Sequence, residues 1–338
     1  MTWRGVVFVG AVLAAGSVRG GAETCVTQSQ MRPAERDALA TAATALAEKI
    51  RSGDQAAVRG LTIAEYQKDF SGMGGVIAAT APKIASAQAQ VEQVYVLDAT
   101  QLKAAGGTNP DAQFFCSLNK SANAVEIAIP QLPPGKYAFA MVRMDQAAPW
   151  RISLLLRQDA GQWQLAGLYP KALTAGGHDG LWYWKQARAL NAGSGSSKEP
   201  WNAWLYYQEA QALLSPASFL SSTHLDKLQS ELGTAAPPAV TGGLGPDTPL
   251  VVKGADGTEY RFTGLTVDDS LGSVDVAAHL KVDALTDVAA ARKRNVDAMT
   301  ALLVAHPELR KAFHGVWVFA EAPGLNPYAT ELAMNEIH

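Results

Sequence analysis

The chain has 338 residues, of which 48% are hydrophobic and 17% charged, with a formal net charge of −3. No basic stripe is available to meet nucleic-acid phosphates, and no apolar run reaches the roughly 20 residues that a membrane-crossing helix requires. A globular composition at this length allows two hydrophobic cores.

The first feature along the chain is an address. Arg4 precedes an uninterrupted apolar or small run from Gly5 to Gly16, with Gly20, Gly21 and Ala22 beyond it. A positive start, about a dozen apolar residues and a small-residue exit make up a secretory signal. Residues 1–22 are therefore expected to be a signal peptide cleaved after Ala22, with cleavage after Gly16 as the alternative. Cys25 follows Ala22-Glu23-Thr24, and that central charge does not suit the stretch preceding a lipid-anchored cysteine. The chain is accordingly expected to be secreted or periplasmic, with no integral membrane segment once the signal is removed. Cys25 and Cys116 are the only cysteines, and an oxidising compartment favours a disulfide between them. The bond would close a loop of about 90 residues and contribute on the order of 4–5 kcal/mol. The alternative is two buried thiols acting as small hydrophobes.

Residues 33–52 have helical spacing, with Leu39, Ala42, Ala43, Leu46, Ala47 and Ile50 on one face and Pro33 in the first turn. A second helix is expected over 54–70, broken by Gly72, Gly74 and Gly75. From residue 91 the period becomes that of strands. Candidates are Val91–Leu97, Gln113–Leu118, Ala124–Ile129 and Lys136–Arg143, with Asn-Pro, Asn-Lys-Ser and Pro-Pro-Gly turn chemistry between them. A hairpin follows, Trp150–Gln158 and Gln162–Leu168, around Asp159-Ala160-Gly161.

Helices followed by mostly antiparallel strands predict an α+β fold in which helices cover one face of a curved sheet over residues 23–175. The element order over residues 33–172, closed by Trp150-Arg151-Ile152 through Gly161-Gln162-Trp163, resembles the nuclear transport factor two-like superfamily. That resemblance implies a cone-shaped domain with a pocket between helices and sheet, in a fold that hosts both enzymes and binding modules.

Residues 176–232 read as a helical hairpin packed on this first domain, one helix opening at Gly180 and the next near Pro200, with the flexible Gly193–Ser197 between them. Tyr183, Ala187, Leu190, Ala203, Tyr207, Ala210 and Pro216 give the pair a resemblance to a single tetratricopeptide repeat. The loop is about four residues longer than that pattern allows and Pro216 falls one residue late. One repeat cannot stack on copies of itself, so it must pack on something else. Residues 233–249, rich in Gly and Pro, read as a linker. A smaller α+β domain is expected over 250–338. It comprises a hairpin around Ala255-Asp256-Gly257, a strand at Val274–Val282, a helix at Leu285–Ala305, a strand at Gly315–Ala320 and a closing helix over 327–337, with a crossover between 274 and 320.

Motifs for chemistry are scarce. The six histidines show no metal-site spacing and no cysteine cluster accompanies them, so no metal or cofactor is expected. No Gly-x-Ser-x-Gly elbow or phosphate loop occurs, and Asp268-Asp269 lacks the alternating oxygens of a calcium loop, leaving a charged loop tip. His279 reads as a half-buried strand residue.

Aromatic density is the outstanding signal. Trp182, Tyr183, Trp184, Trp201, Trp204, Tyr206 and Tyr207 fall within 26 residues. Some must pack inward while others face a groove, and rings with polar tips suit ligands and protein interfaces. Trp182, Trp184, Trp201, Trp204 and Tyr206 are thus the candidate binding residues, set against a plain aromatic seam holding the hairpin to the first sheet. The reading that follows is a non-catalytic binding or interaction protein of the cell envelope, its partner another envelope protein or a small ligand. The alternative is an enzyme using a pocket in the first domain, with Tyr95, Glu126, Asp145 or His178 as acid or base.

Overall fold

The computed structural model describes residues 23–104, 107–117, 124–193, 198–285 and 287–338. The expected signal at 1–22, the Asn119-Lys120-Ser121 turn and most of the Gly193–Ser197 break lie outside the described residues. The architecture is α+β, with a five-stranded antiparallel sheet in the first half and a mixed five-stranded sheet in the second.

Strand β1 (Thr24–Thr27) leads into α1 (Pro33–Arg51), whose buried stripe is Leu39, Ala43, Leu46, Ala47 and Ile50. Gly53, at φ +70°, turns the chain out of it. The single helix expected over 54–70 is two, α2 (Gln55–Gly60) and α3 (Ala64–Lys68). The break arises because Leu61 and Ile63 use their backbone to bond Leu165 on the first sheet, at 2.8 and 3.0 Å. The glycines do not end the helical region either: Gly72, Gly74 and Gly75 lie inside α4 (Ser71–Ile84). At Gly74 a Cβ would fall 2.8 Å from the Gln55 amide oxygen, the far end of a flexible side chain that would have to move aside.

The first sheet has the order β1-β2-β5-β6-β7, built from β2 (Gln88–Asp98), β5 (Lys136–Asp145), β6 (Trp150–Asp159) and β7 (Gln162–Ala172). Asp159 pairs with Gln162 across Ala160 and Gly161, at φ +48° and +82°, the positive pair that a two-residue hairpin demands. One face packs on α1 and α4 through Val94, Val96, Ala140, Ile152 and Leu154. The opposite face carries Tyr95, Leu97, Phe139 and Leu155 and is covered by a small sheet. That sheet is formed by β3 (Ala112–Cys116), β4 (Val125–Ile129) and β10 (Leu220–Ser222). Cys25 and Cys116 are disulfide-bonded, joining β1 to β3 and so the two sheets.

Short strands β8 (Thr174–Ala175) and β9 (His178–Asp179) lead to α5 (Gly180–Ala192), capped by Asp179, which accepts from the Trp182 N–H at 2.8 Å. α6 (Pro200–Leu214) and α7 (Thr223–Ala235) complete a helical trio around Tyr183, Trp184, Tyr207, Ala210 and Leu228. The other side of α6 is where packing departs from expectation. Trp201, Trp204 and Leu205 enter the core of the C-terminal sheet, so the aromatic seam joins the hairpin to the second module. Residues 233–249 are held as well: Ala235 is buried at the end of α7, and Val240 sits in that same core.

The C-terminal sheet has the order β11-β12-β13-β14-β15, from β11 (Leu250–Lys253), β12 (Glu259–Asp268), β13 (Asp275–Lys281), β14 (Gly315–Glu321) and β15 (Tyr328–Ala333). β13 and β14 are parallel, joined through α8 (Val288–Ala305) and α9 (Leu309–Ala312). The closing helix expected over 327–337 is instead β15 followed by a single 3₁₀ turn at Met334–Glu336. Pairing with β14 overrides local helical preference here. Asn295, buried on α8, adds to the hold by donating to the Val318 and Tyr328 carbonyls and the Thr330 hydroxyl at 3.1–3.2 Å.

Among the described residues no helix is long and apolar enough to cross a membrane.

Candidate binding pocket

Where the second face of the first sheet meets the helical trio, the small sheet stops short and leaves a cavity of about 330 Å³. Its floor is Tyr95 of β2, Met141 of β5 and Arg151 of β6. Val125, Leu220 and Ser222 close one side from the small sheet. Leu181 and Trp184 of α5 and Leu214 at the end of α6 close the other, and His224 and Leu225 of α7 complete the rim. The lining is mainly apolar, with a phenol, a guanidinium, a hydroxyl and an imidazole converging on it, the composition expected of a small-ligand site.

Trp184 is a fixed wall. Its indole N–H donates to Glu231 of α7 at 2.7 Å. Arg188 binds the same carboxylate at 2.7 and 2.8 Å and lies over the indole, 4.3 Å from its centroid. Arg188 holds the Glu231 carboxyl below its ordinary range, so the clamp stays ionised. Arg151 is steadied by Glu92, to which its Nε–H donates at 3.0 Å. Burial pushes the Tyr95 phenol up, keeping it a neutral hydrogen-bonding group. Leu181 is 60% exposed and stands at the mouth.

A larger depression of about 440 Å³ lies between α2 and α4, lined by Arg59, Lys68, Asp69 and the backbone of Gly74 and Gly75. It offers little apolar wall and few side chains that converge, so the smaller cavity is the better-built site.

Of the aromatic candidates, Trp184 alone lines the cavity. Trp201 and Trp204 pack edge to face with ring centroids 5.9 Å apart, inside the C-terminal core. Trp182 and Tyr206 join a separate cluster. There His178 stacks on Trp182 at 3.8 Å, Tyr183 meets Tyr206 at 5.2 Å, and Tyr206 meets Phe313 at 5.6 Å. Tyr206 also donates to the Ala312 carbonyl at 3.1 Å, fastening the hairpin to the second module. Among the suggested acids and bases only Tyr95 reaches the cavity. Asp145 is exposed beside Arg143, Glu126 accepts from Gln113, and His178 is exposed on its tryptophan. Arg151, Met141, Leu181, Leu214 and Leu220 had no sequence signal as lining residues, because each is an ordinary strand, helix or loop residue until the sheets and helices are placed together.

No family model, curated protein or solved structure matches this chain.

Two half-buried titratable groups lie near the hairpin's contact with the second module. Asp268 and Asp269, expected at a loop tip, are partly buried opposite Glu209 of α6. Burial, then Asp269 and Asp268, push the Glu209 carboxyl up to about 7. His306 packs on Trp201 at 4.2 Å with its Nε2 buried and unpartnered, and burial pushes it down to about 4. The signs are opposite. Glu209 contributes stability that is complete below its ordinary range and lost as pH rises through about 7. His306 contributes stability that is complete above about 6.5 and lost as pH falls through about 4. Glu209 is worth about 3 kcal/mol and the less deeply buried His306, partly screened by water, about 2 kcal/mol. Between about pH 4.5 and 6.5 the two slopes oppose each other. In urea titrations Glu209→Gln should therefore lose stability on acidification across that window, whereas His306→Gln should gain it. Variants that keep the wild-type pH slope would exclude this assignment.

Proposed function

We propose that this chain is an exported, non-catalytic binding protein of the cell envelope or exterior, and that its pocket takes a small amphipathic ligand with an acidic head. The observation that carries the reading is the apolar cavity beneath Leu181 and Trp184, with Arg151 in its floor and His224 at its rim. The start of α7 lies beside it, where Ser222 caps the Leu225 N–H, and a helix N-terminus favours negative charge. Export is supported by the apolar run behind Arg4 and by the Cys25–Cys116 bond, since such bonds persist in oxidising compartments. The non-catalytic character is supported by the scatter of Glu126, Asp145 and His178 outside the cavity, whose titratable lining is Tyr95, Arg151 and His224. The resemblance to nuclear transport factor two-like domains fits the same reading, since such a domain would present a pocket against its sheet.

Calorimetric titration with sodium dodecanoate, below its micelle concentration, tests the proposal. Saturable binding at one site per chain is expected. Leu181→Asp and His224→Asp, both at exposed positions, should weaken it about tenfold or more through like-charge repulsion and lost apolar contact while leaving the melting temperature near that of the wild type. Absence of saturable binding, or wild-type affinity in both variants, would remove the assignment.

A further inference from the structure

We propose that Asp275, His314 and Glu331 form a binding site for a divalent transition metal of the zinc class at one end of the C-terminal sheet. Their potential ligand atoms all lie within 4.8 Å of one another. Topology brings them together. Asp275 opens β13, His314 directly precedes the parallel neighbour β14, and Glu331 lies on β15 opposite Trp317 of β14. Val276 and Val316 point into the core, so Asp275 and Gly315, one residue earlier on each strand, face the other side. Glu331 shares that side through its pairing with Trp317.

Gly315 keeps the space open. A Cβ there would lie 3.1 Å from Asp275 Oδ1, 3.2 Å from Glu331 Oε1 and 2.7 Å from the Leu332 carbonyl. Any side chain would occupy the gap between the two carboxylates.

Charge gives the second argument. The Asp275 side chain is 2% exposed, and its partner is the His314 ring, with Nδ1 3.2 Å from Oδ1. Among the described residues no lysine or arginine ion pair reaches Asp275 or Glu331. A buried carboxylate is costly unless a cation compensates it, and a metal ion here would serve Asp275 and Glu331 at once.

Donor chemistry narrows the ion. One imidazole nitrogen and two carboxylate oxygens suit zinc and its neighbours better than calcium or magnesium, which favour all-oxygen sets. Bonds of about 2.0–2.1 Å around a tetrahedral ion hold adjacent ligand atoms about 3.3 Å apart, close to the Asp275–His314 separation. His314 is 55% exposed on its side chain, so water can complete the coordination. The three residues escape a motif search because 39 and 17 positions separate them in sequence (275 to 314, 314 to 331).

The test uses the full chain without an affinity tag, stripped with EDTA and titrated calorimetrically with zinc chloride and, separately, manganese chloride. Zinc is expected to bind one per chain with a dissociation constant below about 10 μM, more tightly than manganese, and to raise the melting temperature. His314→Ala and Glu331→Gln, at a surface ring and an edge strand, should each weaken zinc at least tenfold while the EDTA-treated variants still fold. No one-to-one binding by 100 μM zinc (about ten times that expected constant), or undiminished binding in both variants, would overturn the site and leave Asp275 and His314 a simple ion pair.

Discussion

Replacing both Cys25 and Cys116 with alanine should lower the unfolding free energy by about 4–5 kcal/mol in urea titrations. The partners are 91 residues apart, and opening so long a loop restores entropy chiefly to the unfolded chain. The native contribution is specific too. β1 is a four-residue edge strand, and Cys116 ends β3, whose sheet covers Tyr95, Leu97 and Phe139. Without the bond, the small sheet depends on its own packing against that face. The effect should appear equally on adding reductant to the wild type, and the double variant should be indifferent to reductant. A loss below about 1 kcal/mol would show that the loop was already held by β1–β2 pairing and the covering sheet.

Trp204→Ala is expected to cost about 3–5 kcal/mol, the range for removing a large buried aromatic. Trp204 meets Trp201 edge to face and lies in one core with Phe262, Val276 and Leu302. Its helix serves two cores at once. Trp201, Trp204 and Leu205 belong to the C-terminal one, while Tyr207, Ala210 and Leu213 belong to the helical trio. The loss should therefore spread through the α6 contacts, with the hairpin and second module melting together. The rim variant Leu181→Asp, at an exposed position, should stay within about 0.5 kcal/mol of wild type. If Trp204→Ala changed stability by under 1 kcal/mol while altering partner capture, the residue would belong to a surface groove after all.

Much of the first domain was legible because its cues are local. The 3.6-residue stripe of α1 and the Ala160-Gly161 turn need no knowledge of distant partners. Even the pairing of the two cysteines followed from their number and the expected compartment. The misread elements all involve a distant neighbour. Gly74 lies in a helix because α4 buries Ile77 and Ile84 in the core it shares with α1, and β15 is extended because β14 offers an edge. The pocket was legible in fragments: Trp184 as an aromatic and Tyr95 as a titratable group, with nothing to say they share a cavity.

The sequence by itself determined the α+β class, the helix and strand stretches with clear periodicity and the Asp159–Gly161 turn, and it favoured the Cys25–Cys116 bond that the structure shows. Tertiary structure alone decided which module receives the tryptophans of α6, and where the first sheet is left uncovered. It also decided that Asp275, His314 and Glu331 meet on three adjacent strands. The reason is physical: a residue's spacing reports the face it buries, whereas the identity of what it is buried against depends on chain segments brought together only when the sheets and helices pack.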